Sequence, residues 1–285
     1  MLDTIPRQSI TLQGQTINYL DVGSGQKTLL FVHGMGASIK GWAKNVEPLS
    51  KAHRCIALDL PNHGDSTLGD FKSDIPSFLE LLTEFITALE LDTFMMVGHS
   101  MGGMLSVLYA QAHPDQVEHL ILLAPAGFEK FTDQELGLVK QVFTPEFIQS
   151  YPLEKITTNF HLNFYQFPAD AQFLIEDRET LISEPKRYAL YAQSSSIMAI
   201  SIISTALPEM ITDFKTDCTI IYGKEDKLIP HHLVHPDMAL RHVTDSATAT
   251  LGGELMVLPD CGHYVMWEQA ELVNEAILEV IDKVV

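Results

Sequence analysis

Apolar runs alternate with amphipathic stretches through the first part of the chain. Residues 28–33 form an apolar run typical of a strand covered on both faces. Helix-length stretches separate most of the later runs. The predicted strands are residues 9–12, 16–22, 28–33, 54–59, 94–98 and 117–123, and the predicted helices are residues 38–50, 75–89 and 101–113. This alternation indicates a mostly parallel sheet with right-handed crossovers.

The pattern changes after residue 126. Residues 127–211 contain no convincing buried strand, and prolines cut them into short pieces that we interpret as helices. Half of the chain's 24 aromatic residues lie between Phe128 and Tyr191. Alternation then resumes with predicted strands at 219–223 and 254–258 and predicted helices at 231–242 and 265–284. The sequence therefore predicts a doubly wound α/β core, residues 1–126 and 212–285, with a helical cap at 127–211.

Composition narrows the possible partners. Lys and Arg number 18 against 37 Asp and Glu, a formal net charge of −19, which argues against a nucleic-acid groove and against docking on anionic lipid. No apolar run approaches the roughly 18–20 residues that a membrane-spanning helix needs. The three cysteines, Cys55, Cys218 and Cys261, are far apart and odd in number, which predicts buried free thiols and a reducing, cytoplasmic location.

A nucleophile is predicted at the end of a buried strand. Residues 96–103 read Met-Val-Gly-His-Ser-Met-Gly-Gly, with a helix expected directly after Ser100. A serine at such a corner takes a strained backbone conformation, and Gly98 and Gly102 provide the room for it. The N–H of Met101 lies at a helix N-terminus, where partial positive charge favours an oxyanion.

A nucleophilic serine needs a base, and the base needs an orienting acid. His263 follows the last predicted strand, and Asp226 follows the strand before it. In a parallel sheet these loops open at the same edge as Ser100, so we predict a Ser100–Asp226–His263 triad. Glu225 and Asp260 are alternative acids, although Asp260 is close to His263 along a tight turn.

Three further motifs stand in the order expected of a known family. Residues 33–38 read His-Gly-Met-Gly-Ala-Ser, residues 59–66 read Asp-Leu-Pro-Asn-His-Gly-Asp-Ser, and residues 223–230 read Gly-Lys-Glu-Asp-Lys-Leu-Ile-Pro. With the serine corner and the C-terminal histidine, the chain resembles an α/β-hydrolase of the lid-bearing, serine-nucleophile kind. One departure is Asn62, which stands where glycine is more usual.

The resemblance implies an oxyanion hole and a reaction. The backbone N–H of Met35, after the His-Gly pair, is implied to be the second donor beside that of Met101. The implied chemistry is attack of Ser100 on an acyl carbonyl and hydrolysis of the acyl-enzyme by water that His263 activates, without any cofactor. The aromatic-rich cap and the absence of a basic cluster near the motifs favour an uncharged, apolar carboxylic ester as substrate. The cap aromatics are candidate substrate contacts.

A second enzyme hypothesis is hydrolysis of a carbon–carbon bond. Residues 261–268, Cys-Gly-His-Tyr-Val-Met-Trp-Glu, resemble the tail of hydrolases that act on meta-cleavage dienoates, which often carry a tryptophan at the position of Trp267. Those enzymes usually have Asn before the serine, where this chain has His99, and a Gly-Pro-Gly element where residues 35–37 are Met-Gly-Ala. Acyl transfer and perhydrolysis on the same triad are further alternatives.

Six of the other eleven histidines are candidates for a role, and none of them is predicted to take part in the chemistry. His33, His63 and His99 are expected to bond loop backbone around the pocket. The remaining group, at residues 231, 232 and 235, has no convincing Cys or carboxylate to complete a metal site. We interpret it as a solvated helix start and predict no metal.

Overall fold

Eight strands form one sheet at the centre of the molecule. The structure, a computed structural model, describes residues 6–284. The strands are β1 (Gln8–Leu12), β2 (Gln15–Val22), β3 (Thr28–Val32), β4 (Arg54–Leu58), β5 (Phe94–His99), β6 (Val117–Leu123), β7 (Cys218–Gly223) and β8 (Glu254–Leu258). Each lies within one or two residues of its predicted bounds.

The sheet order brings the predicted functional loops to one edge. The order is β1-β2-β4-β3-β5-β6-β7-β8, with β1 and β2 antiparallel to their neighbours and the others parallel. Val32 pairs with Gly98 between β3 and β5, so the loop after β3 starts beside the loop that carries Ser100. The predicted α/β class with a mostly parallel sheet is confirmed.

Helices cover both faces of the sheet. They are α1 (Ala43–Leu49), α2 (Ile75–Ala88), α3 (Met101–Ala112), α4 (Asp133–Val142), α5 (Pro145–Ser150), α6 (Leu153–Leu162), α7 (Phe173–Ile182), α8 (Pro185–Ser204), α9 (Leu207–Met210), α10 (Leu240–Leu251), α11 (Val265–Glu268) and α12 (Ala270–Val284). A short 3-10 helix, Ile39–Trp42, precedes α1 and occupies the first part of the predicted helix at 38–50.

The segment at 127–211, which we call the helical segment, holds α4 to α9 and contains no strand in this fully described stretch. Local signals explain its helix starts. The Thr132 hydroxyl and the Glu135 carboxylate form a reciprocal capping box at α4. At α5 the Thr144 hydroxyl accepts the N–H of Phe147, and Pro145 stands at the first helical position.

Two predicted helices are wrong in their bounds. Residues 231–239 form turns, and the helix predicted at 231–242 begins only at Leu240. Pro236, within these turns, has no N–H to donate to a helix. The helix predicted at 265–284 is broken at Gln269, whose backbone is not helical (φ −121°, ψ 44°). At this break the Glu268 carboxylate turns back to accept the N–H of Gly262.

The three cysteines, Cys55, Cys218 and Cys261, are buried and unpaired, as predicted. Burial raises the pKa of the Cys55 and Cys218 thiols to about 12. No helix among residues 6–284 is both long enough and apolar enough to cross a lipid bilayer.

Candidate active site

Ser100 occupies a strained corner between β5 and α3. Its backbone has φ 53° and ψ −116°, a conformation that L-residues rarely adopt. A Cβ at Gly98 would lie 2.6 Å from the Gly102 carbonyl oxygen, and one at Gly102 would lie 2.0 Å from the Val32 carbonyl oxygen. Both glycines are therefore required by close backbone contacts, as their positions in the sequence suggested.

Asp226 and His263 meet directly. The Nδ1 atom of His263 lies 2.8 Å from Oδ2 of Asp226, and both side chains are buried. The other carboxylate oxygen accepts the N–H groups of Leu228 (2.8 Å) and Ile229 (3.0 Å). The carboxylate is thereby held in place by its own loop, with one oxygen free to orient the imidazole.

The alternative acids lie elsewhere. The Glu225 carboxylate accepts the N–H of Cys261 at 3.1 Å, which joins the loops after β7 and β8. Asp260 is exposed and stands at a positive φ of 51° in the turn before His263. Of the three carboxylates weighed in the sequence, Asp226 is therefore the one that contacts the imidazole.

Ser100 and His263 lie at the same sheet edge without a direct hydrogen bond. Within residues 6–284 the Ser100 Oγ atom is not bonded to the His263 ring. His99, the residue before the nucleophile, donates from Nε2 to the His263 carbonyl oxygen at 3.0 Å, and the two imidazoles are 4.8 Å apart. Catalytic hydrogen bonds are often long in unliganded enzymes and shorten when substrate binds.

The predicted oxyanion donors flank the serine. Met101 is the first residue of α3, so its N–H has no carbonyl partner within the helix. Met35 follows Gly34, where a Cβ would lie 2.9 Å from the Ser100 Cβ. The loop after β3 and the corner that carries Ser100 are therefore in contact. The Met35 amide directly follows Gly34, the residue that makes this contact.

The three histidines predicted to be structural all bond backbone. His33 donates from Nδ1 to the Gly34 carbonyl (2.7 Å) and accepts the Leu60 N–H at Nε2 (3.0 Å). His63 donates to the Pro61 carbonyl at 2.9 Å. Burial lowers the pKa of His33 to about 3 and that of His63 to about 4, and it lowers the pKa of His99 well below its ordinary value.

Asp59 is the first residue of the motif at 59–66, and the sequence assigned it no role of its own. Its carboxyl is buried. Its two oxygens accept the N–H groups of Ile39 (2.8 Å) and Asp65 (3.0 Å), so it joins the loop after β3 to the loop after β4. Burial raises its pKa to about 6, against the opposing effect of these two hydrogen bonds.

A basic side chain from the helical segment lies beside the loop after β3. A cavity of about 240 Å³ is bordered by that loop, by the loop after β4 and by α7 and α8. A Cβ at Gly36 would lie 3.7 Å from an Nη atom of Arg178 and 3.6 Å from the Tyr191 hydroxyl. The guanidinium donates to that hydroxyl and stacks over the Tyr191 ring, with 4.2 Å from Cζ to the ring centroid.

Arg178 carries a positive charge that no carboxylate among the described residues pairs. The next residue, Asp177, is bound by Lys40, and Arg187 of the same cavity is bound by Glu184. The sequence shows no basic cluster near the motifs, but the structure brings one basic side chain, Arg178, to the loop after β3. Arg178 is 78 positions from Ser100 in the sequence, and nothing in its local pattern shows that α7 lies beside the loop after β3.

The histidine group after β7 also differs from its interpretation as a solvated helix start. His235 lies between two carboxylates of the helical segment, in contact with Glu129 through Nδ1 and 3.2 Å from Glu135 through Nε2. Its side chain is mostly buried and stacks on Phe131. These contacts join the loop after β7 to the start of the helical segment.

Comparison with known proteins agrees with this architecture. A family profile described as "alpha/beta hydrolase fold" matches residues 27–270. Among curated proteins, the 2-hydroxy-6-oxononadienedioate/2-hydroxy-6-oxononatrienedioate hydrolase of Escherichia coli (strain K12) is 26% identical over 282 residues, which cover 93% of this chain and 90% of that protein.

Two solved structures illustrate the similarity in fold. A bacterial membrane phospholipase A superposes with a TM-score of 0.80 at 24% identity, over 99% of this chain and 87% of the other. The meta-cleavage product hydrolase from Pseudomonas fluorescens superposes with a TM-score of 0.71 at 22% identity, over 98% of each chain. Because the family profile spans most of the sequence, this chain belongs to the α/β hydrolase fold family and is a hydrolase.

Proposed function

We propose that the protein is a serine hydrolase that cleaves the carbon–carbon bond beside the ketone of a 2-hydroxy-6-oxo dienoate. The unpaired guanidinium of Arg178 beside the loop after β3 is the observation that carries the proposal, because it favours a substrate with a carboxylate. The curated relative named above acts, by its name, on a substrate of this class. This proposal replaces the uncharged ester favoured by the sequence.

The arrangement supports the following course. The proton of the substrate's 2-hydroxyl moves to C5, which gives a 2,6-diketone. Ser100 then adds to the C6 carbonyl while His263 takes its proton, Asp226 stabilises the imidazolium, and the Met35 and Met101 amides bind the oxyanion. The C5–C6 bond breaks, its electron pair passes into the dienolate, and His263 returns the proton to that product. Water activated by His263 finally releases the acid from Ser100.

The helical segment supplies the substrate's surroundings in this proposal. We propose that residues 127–211 act as a cap, with the Arg178 guanidinium binding the substrate carboxylate and aromatic residues such as Phe160 and Tyr191 contacting its carbon chain. The core carries the nucleophile and the cap selects the substrate.

Ester hydrolysis is the second candidate. It is favoured by His99 and by the Met-Gly-Ala sequence at 35–37, where carbon–carbon hydrolases usually carry Asn and Gly-Pro-Gly. His99 is buried, and its Nε2 is taken up by the His263 carbonyl oxygen. The same triad serves both reactions, which differ in the group that leaves the tetrahedral adduct.

The two candidates are separated by parallel assays. A coloured 2-hydroxy-6-oxo dienoate loses its visible absorbance on cleavage, whereas 4-nitrophenyl butyrate releases a yellow phenolate. The proposal expects kcat/KM for the dienoate to exceed that for the ester by at least about 100-fold, with both activities lost in Ser100→Ala. Rapid ester turnover with no change in dienoate absorbance contradicts carbon–carbon hydrolysis and supports the second candidate.

A further inference from the structure

The backbone of four residues between α6 and α7 is bonded to the loops that carry the histidine and the acid. The Asn163 carbonyl accepts the N–H groups of His263 (2.8 Å) and Tyr264 (3.0 Å). The Phe164 carbonyl accepts a hydrogen bond from Nζ of Lys227 at 3.3 Å, and Lys227 directly follows Asp226 in the sequence. These residues, 163–166, lie in the proposed cap, yet they pack as part of the catalytic loops.

One carboxylate completes this contact from the core side. Glu268 Oε1 accepts the N–H groups of Tyr165 (2.8 Å) and Gln166 (3.2 Å), and Oε2 accepts the Gly262 N–H at 2.7 Å. Gly262 directly precedes His263. The side chain thus joins residues 165–166 to the residue before the proposed base.

The fit at this contact leaves no room for adjustment. A Cβ at Gly262 would lie 2.6 Å from the Tyr165 backbone nitrogen and 2.7 Å from the Phe164 carbonyl carbon. The buried Phe164 ring packs against Tyr264, with centroids 5.0 Å apart. Glu268 is half-buried, and this burial raises the pKa of its carboxyl against the opposing effect of the three backbone N–H groups that it accepts and of Lys227. A backbone held from both sides moves as a unit, so loss of one side shifts the histidine loop.

We propose that Glu268 is a positioning residue, which fixes His263 for catalysis by clamping its loop to residues 163–166. The proposal rests on the proposed function, because that function is what gives His263 its role as the base. Glu268 touches neither the nucleophile nor the proposed substrate site. Glu268 acts on His263 through the Gly262 N–H. Its substitution should therefore lower the rate of acylation and leave substrate affinity unchanged.

The test compares four variants. Glu268→Gln keeps the size but removes the charge, Glu268→Asp shortens the reach, and Glu268→Ala removes the acceptor. Glu271→Gln, which removes an exposed charge three residues later in the first turn of α12, is the matched control. The measurements are kcat and KM on whichever substrate the wild type turns over, the second-order rate constant for fluorophosphonate labelling of Ser100, and the melting temperature.

We expect Glu268→Gln to lower kcat and the labelling rate constant about 10-fold and Glu268→Ala about 100-fold, with KM within about 2-fold of wild type. Glu268→Asp should fall between wild type and Glu268→Ala, and the control should match wild type.

If Glu268 has a purely structural role, its substitution lowers the melting temperature but leaves kcat unchanged when kcat is measured well below that temperature. This result in Glu268→Gln overturns the inference. If Glu268→Ala does not fold, the near-isosteric Gln variant decides. Failure of the wild type itself to react with the probe contradicts the proposed function, whereas reactive wild type with equally reactive variants contradicts only the role of Glu268.

Discussion

The sheet edge and the helical segment hold their functional groups in different ways. At the sheet edge Ser100, Asp226 and His263 each closely follow a strand of the sheet, and local features such as the positive φ of Ser100 fix their directions. In the helical segment Arg178, on α7, lies beside Gly36 of the loop after β3 and packs on the rings of Phe160 and Tyr191, which belong to other helices. We propose that the nucleophilic chemistry is encoded locally at the sheet edge, whereas the substrate preference depends on the tertiary packing of the helical segment.

The largest expected effect is loss of the nucleophile. Ser100→Ala should lower kcat by about 10⁶-fold for every substrate, because it removes the hydroxyl that we propose is acylated. Ser150→Ala, which removes an exposed hydroxyl in the helical segment, should retain full activity. Residual turnover above about 1% in folded Ser100→Ala would place the chemistry outside the sheet edge.

The next effect separates the two neighbouring carboxylates after β7. Asp226→Asn should lower kcat by about 10⁴-fold, because the amide cannot hold the imidazole in the required tautomer. Glu225→Gln should lower it less than about 10-fold, since that carboxylate bonds only the Cys261 N–H among the described residues. Equal losses in the two variants would contradict the assignment of the acid.

A smaller and substrate-dependent effect is expected in the helical segment. Arg178→Gln should lower kcat/KM for a carboxylate-bearing substrate about 10- to 100-fold, as expected for a lost charge-assisted hydrogen bond, and leave that for 4-nitrophenyl butyrate within about 3-fold. Arg187→Gln is the matched control, because that residue lines the same cavity but is paired with Glu184. An equal loss for both substrates would mean that Arg178 supports the fold and does not select the substrate.

The smallest effect expected for a single residue is on how the free energy of unfolding depends on pH. His33 and His63 have folded pKa values of about 3 and about 4, below the ordinary 6.5, so only the unfolded chain gains these protons as the pH falls through 6.5. Stability should fall by about 1.4 kcal/mol per pH unit for each such histidine, His99 included. Asp59 opposes this, because its raised pKa of about 6 lets the folded state take a proton first.

Urea unfolding between pH 7 and pH 5 measures this balance. His63→Gln should reduce the slope of unfolding free energy against pH by about one proton's worth, 1.4 kcal/mol per unit. His232→Gln, at an exposed histidine, should leave the slope unchanged. An unchanged slope in His63→Gln would show that this imidazole is protonated in the folded protein.

Sequence patterns predicted what depends on neighbours along the chain. The strands were predicted because each combines an apolar run with turn residues, and the Ser100 corner because glycines flank it. The helix predicted at 231–242 runs across Pro236, whose missing N–H is a local signal against a helix there, so this error was avoidable from the sequence. Arg178 and the bonds of Glu268 to Tyr165 were missed for a different reason, since no local spacing encodes a contact between α7 or residues 163–166 and the sheet edge.

Mass spectrometry of the protein after reaction with a fluorophosphonate tests directly whether His263 activates Ser100 as a nucleophile. We expect a single adduct on the peptide that carries Ser100 in the native wild type, and none on that peptide in His263→Ala at the same exposure. An unmodified Ser100 in active wild-type protein, or equal modification in the histidine variant, would contradict it.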